Sequence, residues 1–76
     1  MKITNTNQMK AFENAVERCT SSVWVIPALG GRPYDLKDEM ERYGGLAKML
    51  EDDMEIFTSN YHDSAVMERF YLDNCA

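Results

Sequence analysis

The stretch Val23-Trp24-Val25-Ile26-Pro27-Ala28-Leu29-Gly30-Gly31-Arg32-Pro33-Tyr34-Asp35-Leu36-Lys37 decides the fold. Val23 to Ile26 is β-branched and aromatic, the composition that strands favour. Gly30-Gly31 offers two residues able to take positive φ, which a tight hairpin turn requires. Arg32 to Lys37 then reads as the returning strand. Pro27 and Pro33 cannot donate ladder hydrogen bonds, so the hairpin tip is expected to be loosely paired or bulged. With Gly30-Gly31 as the turn, Val25 is expected opposite Leu36 and Trp24 opposite Lys37. One face of the hairpin then carries Val23, Val25 and Leu36. The other carries Trp24 and Ile26 beside Asp35 and Lys37.

Helices are expected on both sides of this hairpin. Before it, Met9, Phe12, Ala15, Val16 and Cys19 recur at spacings of three and four, which predicts an amphipathic helix over 6–19. Asn5 with Gln8 suits a capping box, and Thr20-Ser21-Ser22 ends the helix. After the hairpin, Asp38 and Glu41 form a second capping-box pattern and predict a helix over 39–51, with Glu39 and Glu41 favouring its positive end. Its expected apolar stripe is Met40, Tyr43, Leu46, Ala47 and Leu50. Gly44-Gly45 interrupts that helix, where each glycine costs ~1 kcal/mol relative to alanine. Close packing against a neighbouring element is the expected reason, with a kink or an early helix end the alternative. Met54 to Thr58 predicts a third strand, and Ser59-Asn60 a turn. A last helix is expected from Tyr61 or Ser64 to Asp73, capped by Asn60 or Asp63, with Val66, Met67, Phe70 and Tyr71 as its apolar stripe.

The element order is therefore α-β-β-α-β-α, an α+β fold. The first strand is apolar on both faces and is expected at the centre of a three-stranded sheet of order 2-1-3, with the third strand on its free edge. The chain has 76 residues, a length that suits one domain spanning 1–76 with a thin stability margin. No apolar run is long enough for a membrane helix, and the first residues lack the apolar core of a signal peptide. A cytoplasmic setting is the expectation.

The net charge of −5 is unevenly distributed. Residues 1–34 hold Lys2, Lys10, Arg18 and Arg32 against Glu13 and Glu17. Residues 35–76 hold four basic residues against eleven acidic ones. No basic stripe is available to neutralise a phosphate backbone, so direct nucleic-acid binding is disfavoured. An acidic surface can steer a basic protein partner by long-range attraction, and plain solubility is the favoured purpose of the charge. Cys19 and Cys75 are the only cysteines. They make no CxxC pair. Cys19 falls on an apolar stripe and reads as a small core residue.

The run from Val23-Trp24-Val25-Ile26 through Tyr34-Asp35-Leu36-Lys37 to Leu46-Ala47-Lys48-Met49-Leu50 and Asp53-Met54-Glu55-Ile56-Phe57 resembles a family of short uncharacterised proteins from gut Firmicutes and their mobile elements. In that family a Val-Trp strand leads to a Tyr-x-Leu-Lys strand, a Tyr-x-x-x-Ala-x-Leu-Leu helix and a Glu-Leu-Phe-like strand. Gly44-Gly45 and Ala28-Leu29-Gly30-Gly31 depart from the pattern. The motifs are structural and apolar. The resemblance implies a bacterial or phage cytosolic origin and carries no activity with it.

Residues that could carry chemistry are few. His62 is the only histidine, and no local signature pairs it with Cys19 or Cys75 as an activated nucleophile. Glu51, Asp52, Asp53 and Glu55 lack the ligand spacing and glycine turn of a calcium loop. One histidine and two scattered cysteines do not suit zinc. Asp35, Asp38 and Glu41 fit helix capping better than acid–base work, and Gly30-Gly31 lacks the Lys-Ser/Thr of a phosphate loop. No cofactor is implied and no enzyme is expected. Trp24 is the most informative residue. A helix-covered second core around Trp24, Ile26 and Phe57 is the favoured arrangement. If every helix packs on the Val23/Val25/Leu36 face, those three side chains instead form an exposed aromatic patch for a protein partner. Together with Glu51, Asp52, Asp53 and Glu55, they are the expected partner-binding residues. The leading expectation is a small, acidic, non-enzymatic protein-binding domain. The alternative is a phage- or mobile-element-encoded inhibitor whose carboxylates imitate nucleic acid against a host defence or nucleic-acid-binding protein. A homodimer through a free strand edge is expected as a companion property.

Overall fold

The computed structural model describes residues 1–75. Its elements are α1 (Thr6–Arg18), β1 (Val23–Pro27), β2 (Tyr34–Asp35), α2 (Glu39–Glu51), β3 (Met54–Thr58) and α3 (Tyr61–Asn74). The three strands form one sheet in the order β2-β1-β3, with both pairings antiparallel. The α-β-β-α-β-α order and the α+β class expected from the sequence are the ones observed.

The returning strand is shorter than expected and paired differently. Trp24 lies opposite Asp35 and Val25 opposite Tyr34, two residues away from the register of a tight Gly30-Gly31 turn. The reversal is spread over a longer loop. Gly30 N–H donates to Pro27 C=O at 2.9 Å, and Gly30 and Gly31 both take positive φ, at 97° and 138°. Pro33 has no N–H to give the ladder. At the far end, Asp35 Oδ1 accepts the Lys37 N–H at 2.9 Å and turns the chain out of the sheet. A slip of two residues preserves which side chains share a face. Val23, Val25 and Leu36 therefore still point the same way.

That face carries the core. Val23, Val25, Leu36 and Met54 are buried from the sheet, Phe12, Ala15, Val16 and Cys19 from α1 and its end, Leu46 and Met49 from α2, and Met67 and Phe70 from α3. Phe12 and Phe70 meet edge to face with centroids 5.3 Å apart, which locks α1 to α3. The predicted stripe of α1 is the buried one, with Met9 packed at its margin.

The stripe of α2 is a correction. Gly45, Leu46 and Met49 are its buried residues. Met40 is 93% exposed and Tyr43 79%, and Ala47 and Leu50 also face solvent. The glycines explain the rotation. A Cβ on Gly45 would lie 2.6 Å from Leu36 Cδ2 and 2.9 Å from Tyr34 Cβ, so the helix backbone rests on β2 at that point. Close approach is thus the reason for Gly45, and the helix runs through both glycines without a break. On α3, Met67 and Phe70 are buried as expected, but Tyr71 is 46% exposed and the buried face extends to Asp63 instead.

Helix starts depart from the expected boxes in detail. Asn5 accepts the Gln8 N–H at 2.8 Å, but Gln8 Oε1 reaches past Asn5 to the N–H and hydroxyl of Thr4. Asp38 caps α2 through Met40 N–H at 2.8 Å, while Glu41 pairs with Arg32 at 3.3 Å rather than closing a box. Asn60 caps α3 through Asp63 N–H at 2.8 Å.

Candidate functional site

Among the described residues, all three helices send side chains into the core on the Val23/Val25/Leu36 face, and Trp24 and Phe57 on the other face stay exposed with no helix over them. This corrects the favoured expectation of a covered second core. Trp24 and Phe57 are directly paired across β1 and β3, and Ile26 is paired with Glu55. Successive side chains alternate between faces, so Trp24, Ile26, Glu55 and Phe57 share the open side. Trp24 is 37% exposed and Phe57 48%, and Ile26 is half-buried between neighbouring strands. Their opposed positions in the ladder set both side chains on the same side of the sheet. Asp35, opposite Trp24 on β2, lies at one margin, and Glu55 at the other. The patch is thus an apolar strip with acidic margins.

The remaining acidic candidates do not join it as a group. Asp52 pairs with Lys48 at 3.2 Å, one helical turn back, and the Asp53 carboxylate accepts from the Met1 ammonium. Glu51 is exposed at the end of α2. The structure brings Glu55 to the aromatic strip and leaves Glu51, Asp52 and Asp53 at the α2–β3 junction. Upstream, Asp35, Asp38 and Glu41 are occupied by a turn, a cap and an ion pair.

His62 and Cys19 reach the same junction of α1 and α3 but do not bond to each other. His62 Nε2 is 3.3 Å from Arg18 C=O, and the Cys19 thiol donates to Asp63 C=O at 4.0 Å. Burial pushes the Cys19 thiol up from its ordinary range, and the Asp63 carboxylate adds to the rise. That environment holds the thiol protonated, the opposite of an activated nucleophile. Burial likewise raises Cys75. Among the described residues, no group of three or more His, Cys, Asp or Glu side chains is placed to hold a metal ion. Nor, among the described residues, is any helix long and apolar enough to cross a membrane.

The residue most poorly foreseen is Asp63. It is fully buried, yet its carboxylate accepts the N–H groups of Thr20 at 2.8 Å and Ser21 at 2.9 Å, and the Thr20 hydroxyl at 3.2 Å. Desolvation by itself raises its pKa, but the donors from Thr20 and Ser21, with the nearby His62, outweigh it and hold the carboxyl below its ordinary value. The sequence offered one signal. Asn60 already suffices as the cap, which leaves Asp63 spare at the third helical position, and Thr20-Ser21-Ser22 is a turn with unclaimed donors.

Comparison with known proteins adds nothing to this geometry: no family profile matches the chain, and no curated protein or solved structure is similar to it.

Proposed function

We propose that the chain is a small non-enzymatic domain that binds another protein through the open face of its sheet. The observation that supports this reading most is the Trp24–Phe57 pair, two large rings held at solvent by a sheet whose helices all lie behind it. Large aromatic side chains dominate interface energetics, and here the strand backbone already sets two of them side by side. The acidic margins, Asp35 and Glu55, and the net charge of −5 favour a partner with basic residues around an apolar centre. The exposed Met40 and Tyr43 on α2 add apolar surface elsewhere on the molecule.

The alternative, a mobile-element inhibitor that imitates nucleic acid, calls for carboxylates in a continuous unpaired row. Its support is the acidic balance after Tyr34, eleven acidic residues against four basic ones. The internal engagement of Asp35, Asp38, Glu41, Asp52 and Asp53 weighs for the apolar strip over the row.

Affinity capture from native-host lysate tests the first reading, with wild type compared with the double variant Trp24→Thr/Phe57→Thr. Threonine keeps strand propensity while removing the rings. The expected result is a partner retained by wild type and lost by the variant at an unchanged fold. Equal retention by both, or no partner above background, overturns the reading.

A further inference from the structure

The outer edge of β3 is the least completed part of the fold. Two hydrogen bonds set the phase of the ladder: Leu36 N–H donates to Val23 C=O at 2.8 Å, and Ala28 N–H donates to Asp53 C=O at 2.9 Å. Opposed residues of an antiparallel pair alternate between bonded and non-bonded positions. Val23 and Val25 therefore turn their main chain to β2, and Trp24 and Ile26 turn theirs to β3. On β3, Glu55 and Phe57 bond inward, and Met54, Ile56 and Thr58 present N–H and C=O outward. Met54 is already engaged: its N–H donates to Met1 C=O at 2.7 Å, and its C=O accepts from Met1 N at 2.7 Å. The main-chain groups of Ile56 and Thr58 have no hydrogen-bond partner among the described residues. Met1 thus shows that this edge accepts a strand, and the next outward positions stand open.

A groove of about 450 Å³ follows the same edge between β3 and α3. Its apolar lining includes Met54, Ile56, Met67 and Tyr71, and Glu55 and Glu68 also border it. Both glutamates are exposed and have no ion partner among the described residues. Glu55 stands on the open face of the sheet beside the half-exposed ring of Phe57, a pairing that suits an arginine stacked on the ring and bonded to the carboxylate. A second copy of this chain paired antiparallel about Ile56 would set Glu55 across from Phe57, and its β3, which has no Lys or Arg, would bring no cation to that carboxylate.

We propose that this edge takes an extended segment of a partner protein, laid antiparallel to β3 in line with Met1, with apolar side chains toward α3 and arginine or lysine on the open face. The proposal rests on the protein-binding reading above and specifies the partner's chemistry. Main-chain bonds to Ile56 and Thr58 supply affinity, and the alternation of side chains supplies selectivity.

The test uses the full chain, isotope-labelled for amide NMR, and an end-blocked peptide alternating arginine and valine. The expected result is saturable binding that shifts the Ile56 and Thr58 amides and slows their hydrogen exchange by at least about tenfold. A residue opposite Ile56 shares its side of the sheet, so the valine N–H groups face β3. N-methylation at the valines is expected to abolish binding, and N-methylation at the arginines to be tolerated. The double variant Glu55→Lys/Glu68→Lys is expected to weaken binding at least about tenfold at an unchanged melting temperature. Three results each overturn the proposal: no saturable shift up to about 1 mM peptide, equal binding of a peptide alternating glutamate and valine, or concentration-dependent protection of Ile56 and Thr58 in peptide-free protein. Loss of the captured partner on Trp24→Thr/Phe57→Thr, with no Arg-Val binding, rejects the edge and leaves the sheet-face reading standing. Failure of both experiments rejects both.

Discussion

Gly44 and Gly45 are adjacent, identical in chemistry and both inside α2, yet they have different reasons to be glycine. At Gly45 an added Cβ meets the Cβ of Tyr34 at 2.9 Å, which cannot withdraw without moving β2, and Cδ2 of the fully buried Leu36 at 2.6 Å. At Gly44 the nearest atom is Tyr34 Cε1 at 3.2 Å, the swinging edge of a ring at a half-buried position. Replacing a mid-helix glycine with alanine gains up to ~1 kcal/mol of helix propensity. Overpacking a close contact costs about 1–3 kcal/mol. Gly45→Ala is therefore expected to destabilise the fold by about 1–2 kcal/mol, and Gly44→Ala to be neutral or stabilising by up to ~1 kcal/mol. Urea titration of both variants checks the opposite signs. The sequence announced a close approach at this pair but could not say which of the two glycines makes it, because that depends on the rotation of α2 against a strand it does not adjoin.

At the scale of elements, boundaries were legible and facing was not. Strand and helix limits follow from prolines, caps and β-branched runs, which act locally: Glu39–Glu51 and Met54–Thr58 lie where those signals put them, β1 runs one residue past the expected Ile26, and β2 keeps only Tyr34–Asp35 of the expected Arg32–Lys37. The face of α2 follows from shape. Met40, Tyr43, Ala47 and Leu50 compose a better hydrophobic stripe than Gly45, Leu46 and Met49, but only the second has a flat spot that lets the helix rest on Tyr34 and Leu36. The two faces should respond differently to truncation. Met49→Ala, at a fully buried site, is expected to cost about 2–5 kcal/mol. Met40→Ala and Tyr43→Ala are expected to stay within about 0.5 kcal/mol of wild type. Chemical denaturation of the three variants measures the contrast. The candidate site was half legible in the same way. Alternation placed Trp24, Ile26 and Phe57 together, but whether a helix covered them depended on where α1 and α3 dock.

At the scale of the molecule, Asp63 joins the end of α1 to the start of α3 across 43 residues of chain. Because its folded-state pKa is lowered, the ionised form contributes stability above the unfolded carboxyl pKa of about 3.9, and that contribution is lost as the pH falls through the folded value. Asp63→Asn is expected to flatten the acid limb of a stability–pH profile below about pH 4. It is also expected to lower the melting temperature at neutral pH by roughly 5 °C, since the amide nitrogen that replaces one carboxylate oxygen cannot accept, which leaves the Thr20 or the Ser21 donor without its partner. Thermal melts across pH measure both effects. An undiminished acid limb in the variant contradicts the assignment. No local pattern could reveal a contact of this span, and only the spare carboxylate near an already capped helix hinted at it.

The same contact has a kinetic consequence. Because the Thr20–Asp63 bond spans 43 residues of chain, it is expected to form late in assembly rather than in the nucleus. Interactions absent from the folding transition state leave the refolding rate almost untouched and act as a brake on unfolding. The small domain owes to this carboxylate less of its speed of formation than of its lifetime once formed.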